Sequence, residues 1–359
     1  MFRSRRPWLV RLVAALVLAG GCGPQLRSPQ ADASAVAAER ERQREFALTE
    51  LMRRQARVDA IAARVRVAGV ELCPGDVKPF LGMAVATTES FDEELRPVAA
   101  SALGVDAKPR IVRLSPGQPA EQAGLALREA IASVDGNPVR TTRDVMLQIE
   151  KHASGPVQLG VERNDRIEVV DVTPVPACRY GVVAVPDDTV NAFSDGDDIG
   201  VNTGMIRFAE SDDELALVVG HEFAHNALGH RTRNTANQTI GAVLGGILDV
   251  GIGMLGIPVG GVFSKLGAGM MTSAFSKEYE AEADYLGLYF ASRAGYDVGG
   301  APDFWRRMGV EHPSSVESAY LSMHPSTPER TLSLQQGVDE IRAKREAGEP
   351  LEPARRSEP

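Results

Sequence analysis

The chain has 359 residues, 43% of them hydrophobic, an ordinary globular composition at a length that exceeds one typical core. Two domains with flanking tails are therefore expected. A formal charge of −9 excludes a general nucleic-acid binder, because no basic surface offsets it, and it favours solubility without bearing on fold.

At the N-terminus Arg3, Arg5 and Arg6 precede an apolar run at residues 12–18 that is too short to span a bilayer. Residues 1–21 thus read as an export signal. Ala19-Gly20-Gly21 before Cys22 resembles the cleavage box of bacterial lipoproteins, with Ala19 where such boxes usually carry Leu. That resemblance implies that Cys22 is acylated and anchors the chain, and Gly23 after it implies the outer membrane. A plain signal peptide cut elsewhere is the alternative. Ser4-Arg5-Arg6-Pro7-Trp8-Leu9 also resembles a twin-arginine signal, so either export route fits. Residues 22–38 are small and polar and read as a tether.

From residue 39 to 68 charged and apolar residues alternate at helical spacing, with Leu51, Val58, Ile61 and Val65 on one stripe, until Pro74-Gly75 ends the helix. Residues 79–176 change period, to short apolar strands broken by turns such as Asp135-Gly136 and Asn164-Asp165. Ser115-Pro116-Gly117-Gln118-Pro119-Ala120-Glu121-Gln122-Ala123-Gly124-Leu125, followed by a strand, an Asp-Gly turn and a helix over 142–152, resembles the PDZ domains of bacterial envelope proteases. Arg128-Glu129 stand where those domains usually carry Gly-Asp. The resemblance implies that Phe80-Leu81-Gly82-Met83 is the loop whose N–H groups catch a peptide carboxylate while the peptide adds as a strand. Cys73 and Cys178 sit at the edges of this module. With Cys22 taken by the anchor they form an even pair in an oxidising compartment, so a disulfide is expected, two buried thiols being the alternative.

Beyond residue 179, residues 182–185 and 199–201 read as strands, the second after the turn Asp195-Gly196-Asp197. Ser211-Asp212-Asp213-Glu214 is a capping box that opens a helix running to about residue 230. Residues 240–271 are apolar and glycine-rich, but Asp249 and Lys265 interrupt them before a spanning length, so a lid or membrane-touching loop is expected. A second helix is predicted over 276–294, and the charged, Pro-rich residues 340–359 read as a disordered tail.

The capped helix carries His221-Glu222-Phe223-Ala224-His225. Histidines four apart share a helical face and can reach one ion, and Glu222 is placed to accept a proton from water beside it. His230, five residues on, is rotated off that face and reads as a cation at the helix end. A catalytic zinc needs a third protein ligand. Leu228 and Arg231 stand where the longer metzincin pattern requires Gly and His, which turns attention to Glu280-Ala281-Glu282-Ala283-Asp284. Glu280 and Asp284 share a face, so one can bind metal while the other supports a ligand histidine; a solvated acidic face is the other reading.

Together these residues resemble the gluzincin peptidases of the HtpX and CAAX-prenyl-protease type, from Asn191-Ala192-Phe193 through both helices to His324-Pro325 and Arg330. The resemblance implies an α+β protein, with a mainly helical zincin-type domain holding a small sheet beside the β-rich PDZ domain. It implies one Zn2+ per chain on His221, His225 and Glu280, with Asp284 behind a ligand, Glu222 as catalytic base, His324 at the oxyanion or the open position, and Arg330 as its companion. Taken alone, His324-Pro325 would read as a loop feature. The strand at Ile199-Gly200-Val201 is expected to be the edge along which substrate lies. The opening helix, residues 39–72, resembles that of the family, and the pattern resumes at Tyr180. The PDZ domain at 73–178 is therefore expected as an insertion in a peptidase domain that continues over 179–339. The implied function is a zinc endopeptidase on the periplasmic side of the bacterial envelope that cleaves misfolded or unassembled envelope proteins recognised through the PDZ domain. Two rivals are a lipid-anchored PDZ/metal-domain chaperone that binds clients without cutting, against which an intact Glu222 favours the enzyme, and a membrane-spanning protease, against which the charges and glycines of residues 240–271 speak. Nothing in the sequence speaks to oligomeric state.

Overall fold

The structure, a computed structural model, describes residues 29–152, 155–231, 275–311 and 328–354. Cys22, His324 and residues 240–271 lie outside them. Two units are distinguished, Met1–Arg40 and Glu41–Pro359. In the first, helix α1 (Ala33–Ala68) begins within the expected tether. The Asp32 carboxylate accepts from the Ala35 N–H at 2.9 Å, and the alanine-rich run behind it has high helix propensity. The tether thus gives way to helix before residue 38.

Within the second unit α1 serves two cores. Leu51, Val58, Ile61 and Val65 pack with Tyr180, Phe223, Phe290 and Trp305, as their spacing predicts. One turn earlier, Leu48 packs with Phe91, Leu95 and Val98 of the β-rich part, so α1 is shared between the two parts. That β-rich part holds the antiparallel ladder β1 (Val77–Phe80) with β8 (Val175–Cys178). Beside it lies a sheet ordered β2 (Met83–Ala86), β3 (Arg110–Leu114), β4 (Ala130–Val134), β6 (Val157–Arg163), β7 (Arg166–Val172), with β5 (Asn137–Pro138) paired to β4. Helices α2 (Arg96–Leu103), α3 (Pro119–Gln122) and α4 (Thr142–Lys151) accompany it. Asn164 and Asp165 take φ of 49° and 58°, the left-handed pair that closes a tight β6–β7 hairpin. Arg128 also has positive φ, 72°, so this turn takes the left-handed conformation without glycine. Its N–H donates to the Ile111 carbonyl at 2.7 Å and its guanidinium to the Ala102 carbonyl at 3.0 Å.

A disulfide joins Cys73 and Cys178, 105 positions apart with Cα atoms at 6.0 Å, at the neck of this part. Beyond it a three-stranded sheet is ordered β10 (Ala192–Ser194), β11 (Asp198–Asn202), β9 (Gly181–Val185). The helices that follow are α5 (Thr203–Phe208), α6 (Asp212–Ala227), α7 (Lys277–Arg293), α8 (Ala301–Glu311) and α9 (Pro328–Ala347). Ser211 caps α6 by accepting the Glu214 N–H at 3.2 Å. The reciprocal half of the expected box is replaced: the Glu214 carboxylate takes the Glu210 N–H and pairs with Arg307 of α8. α6 and α7 cross at two glycines. A Cβ on Gly287 would stand 2.9 Å from the His221 backbone, and one on Gly220 would stand 2.6 Å from the Gly287 carbonyl, so this approach needs both.

The expected disordered tail is overturned as far as residue 354. α9 continues to Ala347, Ile341 is buried, and Glu340 accepts hydrogen bonds from Tyr285 and Tyr289 of α7. Its charges are bound to a partner helix and not only to solvent. Among the described residues no helix is long and apolar enough to cross a membrane.

Candidate metal centre

The close α6–α7 crossing brings the predicted residues together. His221 and His225 face inward from α6, and Glu280 meets them from the first turn of α7, all three at most 2% exposed. The two Nε2 atoms are 3.0 Å apart, and Glu280 oxygens lie 3.6 Å from His221 Nε2 and 3.5 Å from His225 Nε2. Zinc holds such atoms at about 2.0–2.2 Å, which in a tetrahedron spaces them about 3.3–3.6 Å from one another. The donor set fits one zinc ion: both carboxylate–imidazole spacings fall in that range, and the two Nε2 atoms stand slightly closer. Glu222, buried at 2% exposure, follows the first histidine on the same helix.

Asp284, one turn beyond Glu280, places Oδ1 3.0 Å from His221 Nδ1. A carboxylate can only accept, so this contact favours the His221 tautomer with its proton on Nδ1 and the Nε2 lone pair turned inward. Arg330 of α9 grips Asp284 with two bonds, Nε to Oδ2 at 2.6 Å and Nη2 to Oδ1 at 2.7 Å, and reaches Glu280 at 3.4 Å. Burial alone would raise the Asp284 carboxyl and lower the Arg330 guanidinium. Their attraction outweighs it, holding Asp284 below and Arg330 above their ordinary ranges. Burial lowers the His225 pKa, with His221 adding to the effect against the pull of Glu280, the direction that a neutral metal-binding imidazole requires. Trp305 of α8 lies 3.9 Å under the Arg330 guanidinium and 5.3 Å from the His221 ring, a contact for which the sequence holds no motif.

Two expectations are corrected here. His230 is not turned away from the ligand histidines at the end of α6: it lies past that helix, is fully buried, and its Nδ1 lies 3.0 Å from His225 Nδ1. α6 stops at Leu228 and Gly229 turns the chain at φ 62°, so a helical projection fails beyond that point. Nor is β11 an edge strand. It is the middle of its sheet, paired with both β9 and β10. The outer side of β9 is covered by Gln55 of α1, which donates to the Val182 carbonyl and accepts the Ala184 N–H. Among the described residues, the side of this sheet with no further paired strand belongs to β10. Asn202 N–H bonds the Asn191 carbonyl and Asp195 N–H the Asp198 carbonyl, so by alternation the peptide groups of Ala192 and Ser194 turn away from β11. Arg231 Nη1 lies 3.5 Å from the Ser194 carbonyl.

In the β-rich part, Phe80 ends β1 with its ring 4.3 Å from the Arg66 guanidinium. Leu81 is buried and its carbonyl accepts the Ala120 N–H, Gly82 takes φ 76°, and Met83 opens β2, an edge of its sheet.

Residues 165–338 match the family model described as peptidase family M48. The chain is 27% identical over 186 residues to the mitochondrial metalloendopeptidase OMA1 of Schizosaccharomyces pombe, covering 50% of this chain and 53% of that protein. It is 25% identical over 168 residues to the beta-barrel assembly-enhancing protease of Escherichia coli K12, covering 44% of this chain and 34% of that protein. The chain therefore spans about half the length of the first relative and about a third of the second. A solved structure of the HtrA3 PDZ domain bound to a phage-derived ligand is similar to 28% of this chain and 88% of that chain, at 18% identity and a TM-score of 0.23.

Proposed function

We propose, from the match of residues 165–338 to the peptidase family M48 model, that this protein is a zinc-dependent endopeptidase whose ion is held by His221, His225 and Glu280. The observation that carries the reading is the buried convergence of those three side chains beside Glu222. Zinc at such a site supplies Lewis acidity toward a carbonyl and makes water nucleophilic at neutral pH. Glu222 takes the proton from that water and returns it to the leaving amine. Asp284 holds the His221 proton on Nδ1, and Arg330 keeps Asp284 ionised and oriented. An extended substrate pairs with the outward peptide groups of β10, which places its backbone alongside α6.

The β-rich part serves as the peptide-recognition module, an insertion at 73–178, with the loop at Phe80-Leu81-Gly82-Met83 receiving a C-terminal carboxylate and β2 accepting the peptide as a strand. With acylation at Cys22 the enzyme works on the periplasmic side of the bacterial outer membrane, on misfolded or unassembled envelope proteins. The chemistry is tested by metal analysis and cleavage of an unfolded polypeptide such as casein by wild type and Glu222→Gln. The variant should keep one zinc per chain and lose about 10²–10⁴-fold in turnover. Equal turnover in the two proteins would reject the assignment of the base, and a wild type without zinc would reject the centre. For the module, a peptide with a free C-terminus should outcompete its amidated form by fluorescence anisotropy; equal affinities would reject carboxylate capture.

A further inference from the structure

We propose that His230 and Glu282 form a relay that fixes the tautomer of His225 and so sets the affinity of the metal centre. The inference rests on the zinc site proposed above. His225 Nδ1 and His230 Nδ1 are 3.0 Å apart, and His230 Nε2 lies 3.2 Å from Glu282 Oε2. Only one of two facing Nδ1 atoms can carry the proton. The Glu282 carboxylate can only accept, which puts a proton on His230 Nε2 and leaves His230 Nδ1 as a lone pair. That lone pair accepts the Nδ1–H of His225, and His225 Nε2 keeps its lone pair, facing His221 Nε2 and Glu280. The opposite arrangement, with His230 donating through Nδ1, would put a proton on His225 Nε2 and close it to a metal. Chain order thus runs carboxylate, imidazole, imidazole, ion, with every proton on a donor that points at an acceptor.

The two ligand histidines are therefore held by different devices. His221 meets a buried carboxylate directly, whereas His225 meets a neutral ring that passes the contact on to a side chain 46% exposed. Charge explains the difference. Among the described residues the site holds three buried acidic groups, Glu222, Glu280 and Asp284, whose negative charges Arg330 with a divalent ion would balance. A fourth buried carboxylate behind His225 would leave the site short of one positive charge in a low dielectric, a costly state. The imidazole relay places that carboxylate at the surface. The ring itself is fixed by stacking on Tyr279, centroids 4.5 Å apart at 15°, and Phe275 stacks on His225 at 4.1 Å, so both rings are oriented by packing as well as by hydrogen bonds. His230 and Glu282 are positioning residues in this scheme; they touch neither ion nor substrate.

The test is zinc affinity of the full chain, measured by competition with a chromophoric chelator at fixed pH, alongside thermal melts of the metal-free proteins. His230→Phe keeps the stack on Tyr279 but removes the acceptor, and should weaken zinc binding about 10- to 100-fold. His230→Asn offers an amide oxygen at the position of Nδ1 and should recover most of that loss. Glu282→Gln, at a half-exposed site that leaves folding intact, should weaken binding several-fold without moving the metal-free melt. The relay is refuted if His230→Asn binds zinc no better than His230→Phe, or if Glu282→Gln matches wild type. A wild-type chain that takes up no zinc refutes the centre itself, so the two failures are distinct.

Discussion

Arg330 reaches two buried carboxylates at once, and the cost of removing it separates its structural from its catalytic part. It lies with Asp284 and Glu280 in a site at most 6% exposed, where a lone charge is expensive. Arg330→Met, which fills the same volume against Trp305, should destabilise the metal-free protein by about 3–5 kcal/mol in urea melts, because Asp284 loses its partner. Arg330→Lys should recover little of this, since an ammonium cannot make the two-pronged bond or the flat stack. Wild-type stability in either variant would show that Asp284 is neutral. At this scale the sequence was informative where spacing forces geometry. Two histidines four apart on a helix must share a face, and the acidic pair four apart on the second helix must do so too. His230 was misjudged because the same projection was carried past Gly229, where the chain has left the helix. Trp305 carried no signal, because its role depends on how α8 packs against α9.

For the strands, which side of a strand is open matters more than its sequence. Residues 199–201 are apolar because they are buried between two neighbours, which is the opposite of an edge; no local pattern distinguishes the two cases when the sheet has three short strands. β10 gives a sharp test. The Ala192 N–H faces away from β11, so Ala192→Pro should keep the fold while removing a donor to substrate, lowering kcat/KM about tenfold with zinc content unchanged. Phe193→Pro removes a ladder bond to Gly200 and should lower the melting temperature instead. If Ala192→Pro cleaves like wild type, substrate does not pair there. The start of α6 supplies a pH test. The Arg307 bond holds the Glu214 carboxyl below its ordinary 4.5 despite burial. A depressed acid stabilises the fold above its unfolded pKa, and that contribution fades as pH falls through the folded value. Glu214→Gln should therefore melt below wild type at pH 7, with the gap closing as pH falls from 4.5 through the lower folded value. A gap independent of pH would mean that shape, not charge, joins α6 to α8.

The whole molecule depends on one helix and one covalent link. Burying Leu51, Val58 and Val65 in the helical core and Leu48 against Phe91 makes α1 common property, so the parts should not unfold separately. Arg113 of β3 adds an ion pair to Asp59 of α1 at 2.5 Å, and Arg66 of α1 donates to the Cys178 carbonyl at the neck. The change of period after residue 79 and the alternating strands that follow were legible in the sequence, whereas the double use of α1 was not, since a stripe of apolar residues does not say what covers it. The disulfide closes a loop between positions 105 apart, and in the chain-entropy description such a loop is worth about 4–5 kcal/mol. The variant with both Cys73→Ser and Cys178→Ser should lose stability up to that amount. The β1–β8 ladder, four register pairs long, still holds the neck in its native arrangement, so cleavage of short peptides should continue at low temperature. Because α1 spans both cores, unfolding of the variant should remain a single step: Trp305 fluorescence, which reports the helical core, and far-ultraviolet circular dichroism should give one midpoint in urea. Two separated midpoints would show that the disulfide, and not α1, couples the parts, and an unchanged midpoint would show that the closed loop is already ordered in the unfolded chain.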